Sequence, residues 1–182
     1  MTDQERGKTL LQLARGAIAE KFGIVLPSVA SEGWLAEPGA TFVTLTLNGN
    51  LRGCIGSLAA HRPLFDDVRA NALAAAFRDP RFSPLQPAEF DFTEVEVSLL
   101  SPTQAMQFND ERDALTQLRP GVDGVLLEYQ NYRGTFLPQV WEQLQTPEAF
   151  MTHLKRKAGL PGDFWADEIR LSRYTVQKWK EN

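Results

Sequence analysis

Six consecutive residues, Leu51-Arg52-Gly53-Cys54-Ile55-Gly56, concentrate the unusual chemistry of this chain. Cys54 is its only cysteine. The thiolate is the nucleophilic, metal-binding form of cysteine, and a nearby guanidinium favours it. In an unbroken strand Arg52 and Cys54, two apart, project from one face. Gly53 and Gly56 flank the thiol. Glycine inside a strand pattern signals a bulge, or close approach by a ligand or another backbone. These residues suggest a reactive thiol, with Arg52, Gly53 and Gly56 as ligand contacts. A structural role competes with that reading. A two-residue turn ahead of the segment puts Cys54 on the face of Val43, Leu45 and Leu47, where a free cysteine is usually buried and inert. Arg52 on such a face needs a carboxylate, a backbone acceptor or a ligand, because a buried unpaired guanidinium is costly.

Two other segments carry more chemistry than a linker needs. Asp79-Pro80-Arg81-Phe82 reads as a helix stop with an Asp–Arg pair, or as a site that puts Arg81 at an anionic ligand, with Asp79 as a further ligand-binding residue. Leu137-Pro138-Gln139-Val140 reads as a strand-to-helix turn, with Gln139 as an amide contact. No metal site is expected: the two histidines, His61 and His153, lie far apart and no ligand spacing joins them to the thiol. His61 precedes a helix start and His153 sits in a helix beside Lys155, so both read as surface residues. Gly7-Lys8-Thr9 imitates the end of a phosphate-binding loop, but position 2 is Thr and no strand precedes it. Dinucleotide-binding and nucleophile-elbow patterns are absent.

The elements that must position these groups follow from spacing. Thr2 and Glu5 form a capping box for a helix over 4–22, with Leu10, Leu11, Ala14, Ile18 and Phe22 as its stripe and Gly23 as its stop. Residues 27–40 read as a loop. Asn48-Gly49 between 41–47 and 51–58 is a strong hairpin signal. Pro63 opens a helix that ends before Asp79-Pro80. Residues 93–100 alternate as a half-buried strand, with Glu94, Glu96 and Ser98 opposite Val95, Val97 and Leu99. Asp110 caps a short helix to Leu118. Strands are expected at 122–129 and 132–137, a helix from Thr146-Pro147 to Gly159, and a last strand at 169–176. Hairpins dominate and βαβ alternation is missing, so the class is α+β, with a largely antiparallel sheet and flanking helices.

At 182 residues the chain suits a single domain over 1–182, or a larger lobe plus a smaller lobe, and needs no disulfide or metal to fold. Apolar residues make up 43% and charged ones 23%, which argues against disorder. The net charge of −4 gives nucleic-acid binding no support. Residues 150–182 nonetheless carry seven basic against four acidic side chains, a run that reads as a solvated face. Trp165 and Tyr174 there could stack bases, but aromatics are more often core. No apolar run reaches transmembrane length, the polar first residues lack a secretory signal, and one cysteine fits a reducing compartment, so a cytoplasmic protein is expected.

The three segments named above, with Phe42-Val43-Thr44-Leu45, Val97-Ser98-Leu99-Leu100, Lys155 to Leu160 and Leu171-Ser172-Arg173-Tyr174, carry a resemblance. In this order and spacing the chain resembles the AMMECR domain family, whose prokaryotic members are called AmmeMemoRadiSam system protein A, from about residue 9 to 176. The resemblance implies an α+β fold of a larger and a smaller lobe and a cleft near the cysteine motif. It also implies two partners, a Memo-like protein and a radical S-adenosylmethionine protein. It implies no reaction and no cofactor. The chain departs from many relatives at Gly121-Val122-Asp123-Gly124, where they carry histidine in place of Asp123. Two functions stay open. One is an enzyme using Cys54 as nucleophile or thiolate ligand. The other is a non-catalytic binding or scaffold module recognising a partner protein, peptide or nucleic acid through the same cleft.

Overall fold

Thr2 starts the first helix through the expected reciprocal cap. Its hydroxyl accepts from the Glu5 N–H at 3.2 Å, and the Glu5 carboxylate accepts from the Thr2 N–H at 2.6 Å. In the computed structural model, which describes residues 1–31 and 33–182, the elements in chain order are α1 (Asp3–Lys21), β1 (Ala40–Leu47), β2 (Asn50–Gly56), α2 (Leu64–Phe77), β3 (Thr93–Leu100), β4 (Gln104–Ala105), α3 (Glu111–Gln117), β5 (Gly124–Tyr129), β6 (Tyr132–Phe136), α4 (Pro147–Ala158), β7 (Arg170–Tyr174) and β8 (Val176–Lys180). Short 3-10 turns at Gly33–Ala36, Pro87–Phe92 and Pro138–Glu142 complete the described residues. Within the loop expected at 27–40, position 32 lies outside the described residues.

The α+β class holds, with two four-stranded sheets in place of one. The chain divides into one unit of residues 1–100 with 177–182 and a second of residues 101–176. The first unit holds the order β2-β1-β3-β8 and the second β4-β7-β5-β6. β1 pairs antiparallel with β2 and β3, and β5 with β6 and β7. No helix among the described residues is long and apolar enough to cross a membrane.

In the first unit α1 and α2 cover one face of the sheet. Leu10, Ala14 and Ile18 from α1 and Val68, Ala72 and Ala75 from α2 meet Val43, Leu45, Val95 and Val97, all essentially buried. Each larger aliphatic side chain buried this way contributes about 1.5–3 kcal/mol. The second core gathers Phe150, Met151 and Leu154 of α4 against Val125, Leu127 and Leu171, with Trp141 stacked on Phe150 at 3.9 Å.

Two expectations need correction. The last strand, read at 169–176, forms as β7, but a further strand, β8, follows it. Between them the Ser101 N–H donates to the Thr175 carbonyl and the Thr175 N–H to the Ser101 hydroxyl, and β8 then joins the first sheet. Gln177-Lys178-Trp179-Lys180 is too polar for β8 to announce itself by apolar alternation. Within the basic run expected to be solvated, Lys155 is only 2% exposed and pairs with Glu111.

Candidate functional site

The hairpin turn forms as expected, with Asn48 and Gly49 at φ of 53° and 77°. The strands beyond it do not stay in register. Leu47 faces Asn50 and Thr46 faces Leu51, but Leu45 faces Gly53, so Arg52 is an extra residue in a β-bulge. One inserted residue exchanges the faces of everything after it. Cys54 therefore opposes Thr44, on the outer face turned away from α1 and α2, where both are half-buried. Ile55 takes the core position. The expected placement of Cys54 with Val43, Leu45 and Leu47 is overturned by this bulge.

Arg52 is satisfied elsewhere. Its guanidinium pairs with both Glu89 carboxylate oxygens at 3.1 Å and donates to the Ser83 carbonyl at 2.8 Å. That pairing and the Gln86 N–H hold Glu89 below the usual carboxylate range. The acceptors Arg52 was expected to need are thus a carboxylate and a backbone carbonyl. Both flanking glycines are explained by packing. A Cβ on Gly53 would lie 2.0 Å from the Ala75 carbonyl oxygen at the end of α2, and one on Gly56 would enter the Phe42 ring. The close approach read from the sequence is real, and its partners are another backbone and a ring.

β2 is an edge strand, so Cys54 turns its N–H and C=O away from β1. Asp79 and Arg81 take the place of a neighbouring strand there. Asp79 Oδ2 accepts the Cys54 N–H at 3.0 Å, and Arg81 Nη2 donates to the Cys54 carbonyl at 3.4 Å. Asp79 also accepts from Arg81 N at 3.1 Å, Nε at 3.0 Å and Nη2 at 2.7 Å. The Arg81 guanidinium holds the Asp79 carboxyl far below the usual carboxylate range, against the opposing effect of burial. Asp79 in turn raises Arg81. The guanidinium bonded to Cys54, through its backbone carbonyl, is that of Arg81, while Arg52 is spent on Glu89 and Ser83. On the sheet side, Cys54 Sγ lies 3.2 Å from Thr44 Oγ1. Thr44 was not singled out from the sequence; its position follows from the bulge.

Each remaining candidate has its own local setting. Gln139, in the second unit, is exposed, and its side chain makes no hydrogen bond among the described residues. Asp123, also in the second unit, is fully buried. Its carboxylate accepts from Arg119 N at 2.9 Å and Nε at 3.0 Å, and its carbonyl accepts from the Trp141 indole at 2.7 Å. It closes a turn. Among the described residues the His61 ring bonds only the Ala59 carbonyl, and His153 is exposed. Among the described residues no three His, Cys, Asp or Glu side chains gather to hold a metal ion. An open groove of about 900 Å³ runs along α1 and residues 178–182. Its Arg15 and Lys180 are already bound to Glu181 and Glu94, and Cys54 is not part of it.

The comparisons with known proteins cover nearly the whole chain. The AMMECR1 family model matches residues 11–179. A protein of Methanothermobacter thermautotrophicus is 38% identical, with 98% of this chain and 96% of the relative aligned. A protein of Thermococcus kodakarensis is 35% identical over 97% of this chain and 91% of its own. The crystal structure of an uncharacterized protein, PH0010 from Pyrococcus horikoshii, superimposes with a TM-score of 0.85 at 33% identity, covering 98% of this chain and 92% of that one. With sequence and fold in agreement over this length, the chain belongs to the AMMECR1 family.

Proposed function

We propose that the outer face of β2 around Cys54 is a recognition site for an anionic group, a carboxylate or a phosphate, carried by a partner protein or peptide. One observation carries the reading. The Arg81 guanidinium is clamped along one edge by buried Asp79, while its side chain is 55% exposed and Nη1 has no partner among the described residues. A planar guanidinium held on one edge presents the other to an oxyanion with little orientational entropy left to lose. The half-buried thiol beside it would line the same site. The family resemblance supplies candidate partners, a Memo-like protein and a radical S-adenosylmethionine protein. The single cysteine supports a reducing, cytoplasmic setting.

The test compares alkylation of Cys54 by iodoacetate and iodoacetamide, whose difference is one carboxylate. In the native protein iodoacetate gains several-fold relative to its behaviour with a free thiol, and Arg81→Gln removes the gain. If Arg81→Gln leaves the ratio unchanged, the recognition reading fails. A thiol enzyme is the second reading, favoured by the Thr44 hydroxyl at Sγ and the Arg81 guanidinium at the Cys54 carbonyl. Against it, neither histidine is among the hydrogen-bond partners of Cys54. Full function of a Cys54→Ala protein in a cellular assay would end the enzyme reading and leave recognition standing.

A further inference from the structure

The strand pairings place a third charged group on the same face. Thr44 opposes Cys54 on one side and Glu96 on the other, so thiol, hydroxyl and carboxylate form one row across β2, β1 and β3. Glu96 lies between Val95 and Val97, which are 1% and 0% exposed on the core side, so its own side chain must rise from the outer face. It is half-buried, and it forms no ion pair or hydrogen bond among the described residues. Lys180, the neighbouring cation, is bonded to Glu94 at 3.0 Å and feels Glu96 only as a longer-range charge. Directly opposed residues on adjacent antiparallel strands have Cβ atoms about 5 Å apart, so Glu96 stands roughly 10 Å from Cys54. Arg81 sits at the opposite end of the row, beyond the edge of β2.

We infer that Glu96 is a second recognition residue of this site, and that the ligand is bipolar: its anionic group is taken by Arg81 and a cationic group, a primary ammonium or guanidinium, by Glu96, with Cys54 and Thr44 beneath the span between them. This rests on the recognition reading above and adds the cationic half. The chemistry of the ends follows from the row. A carboxylate without a protein partner binds a cationic donor best, and the separation of the two charges excludes a small α-amino acid held by its own ammonium and carboxylate. A peptide segment carrying one acidic and one basic side chain meets both demands.

Cys54 reports on both ends, because it is the only thiol. Its rate of modification is measured with two methanethiosulfonates of equal size, one bearing a trimethylammonium and the other a sulfonate. In Glu96→Gln the cationic reagent slows by roughly 2–4-fold, the effect of a screened unit charge at this distance, while the sulfonate reagent does not slow. In Arg81→Gln the pattern reverses. Glu94→Gln, one row further along β3, has a smaller effect on the cationic reagent. An unchanged cationic rate in Glu96→Gln, or an equal loss in Glu94→Gln, overturns the bipolar inference while leaving the Arg81 result intact. An unchanged sulfonate rate in Arg81→Gln overturns the recognition reading itself. A second measurement uses 8-aminooctanoate to protect Cys54 from iodoacetamide. Protection exceeding that by octanoate, and lost in Glu96→Gln, supports the inference; equal protection by octanoate refutes it.

Discussion

Two aspartates of the first unit do the same job with opposite outcomes for solvent. Asp67 and Asp79 each accept a backbone N–H from a strand of the sheet, Thr41 and Cys54 respectively, and each pairs with an arginine. Around Asp67 the donors close in completely: Thr41 and Ser57 hydroxyls, the Asn71 amide and Arg62 fill both oxygens, and the carboxylate is fully buried. Around Asp79 the bonding is just as full, but the arginine is half outside and a thiol lies beside it. The Asp67 cluster uses its polar groups up on one another and anchors α2 to the sheet. The Asp79 cluster leaves Arg81 Nη1 without a partner among the described residues, and that is the donor the proposed recognition site would use.

The sharpest way to break this comparison is to remove the anchor. Asp67→Ala strands a half-buried guanidinium, two hydroxyls and an amide, and is expected to cost about 3–5 kcal/mol, read as a large fall in urea midpoint. A loss under about 1 kcal/mol would mean that the cluster anchors nothing. Next in size is Gly53→Ala, whose methyl must displace the Ala75 carbonyl; about 1–3 kcal/mol is expected by the same measurement. It also tests whether glycine serves packing or a ligand, since a ligand role predicts normal stability.

Asp79→Asn keeps the shape but weakens the charge-assisted bonds, at a cost of about 1–3 kcal/mol near neutral pH. The sign of its pH dependence is fixed by the depressed carboxyl. A group whose folded pKa lies below its unfolded value stabilises fully above the unfolded value, about 4, and loses that contribution as pH falls toward the folded one. The stability gap between native protein and variant is therefore constant from neutral pH to about pH 5 and narrows below about pH 4. A gap that widens on acidification would contradict the pairing with Arg81. The smallest effect belongs to Arg81→Gln, at most about 1 kcal/mol because the guanidinium is half in water and the Cys54 and Arg81 backbone N–H groups still satisfy Asp79. Its consequence is expected in thiol chemistry instead, and a loss of several kcal/mol would make Arg81 a structural residue like Arg62.

Much of this was legible from local signals. The capping box at Thr2 and Glu5, the Asn48-Gly49 turn and the Thr146 cap with its Gly159 stop act within a few residues, and each appears where spacing put it. The Asp–Arg pair at 79 and 81 belongs to the same group, since its partners are two residues apart. What spacing could not give was anything that depends on counting across a pairing. An unbroken two-residue hairpin puts Cys54 on the core face; the bulge at Arg52 moves it outward, and nothing in the hexapeptide announces which residue is extra.

From sequence alone came the α+β class, the hairpin and the helices, because propensity, caps and turn chemistry are short-range. The family assignment was also legible there, since it depends on ordered motifs. Only the tertiary structure decided the rest. It divided the strands between two sheets, and it gave Arg52 to Glu89 and the outer edge of Cys54 to Asp79 and Arg81. It also brought Thr44 and Glu96 into the cysteine's row. Those partners are separated from Cys54 by 10 to 42 positions along the chain. Their meeting is set by strand register and by the burial of apolar residues on the opposite face, neither of which a single segment contains.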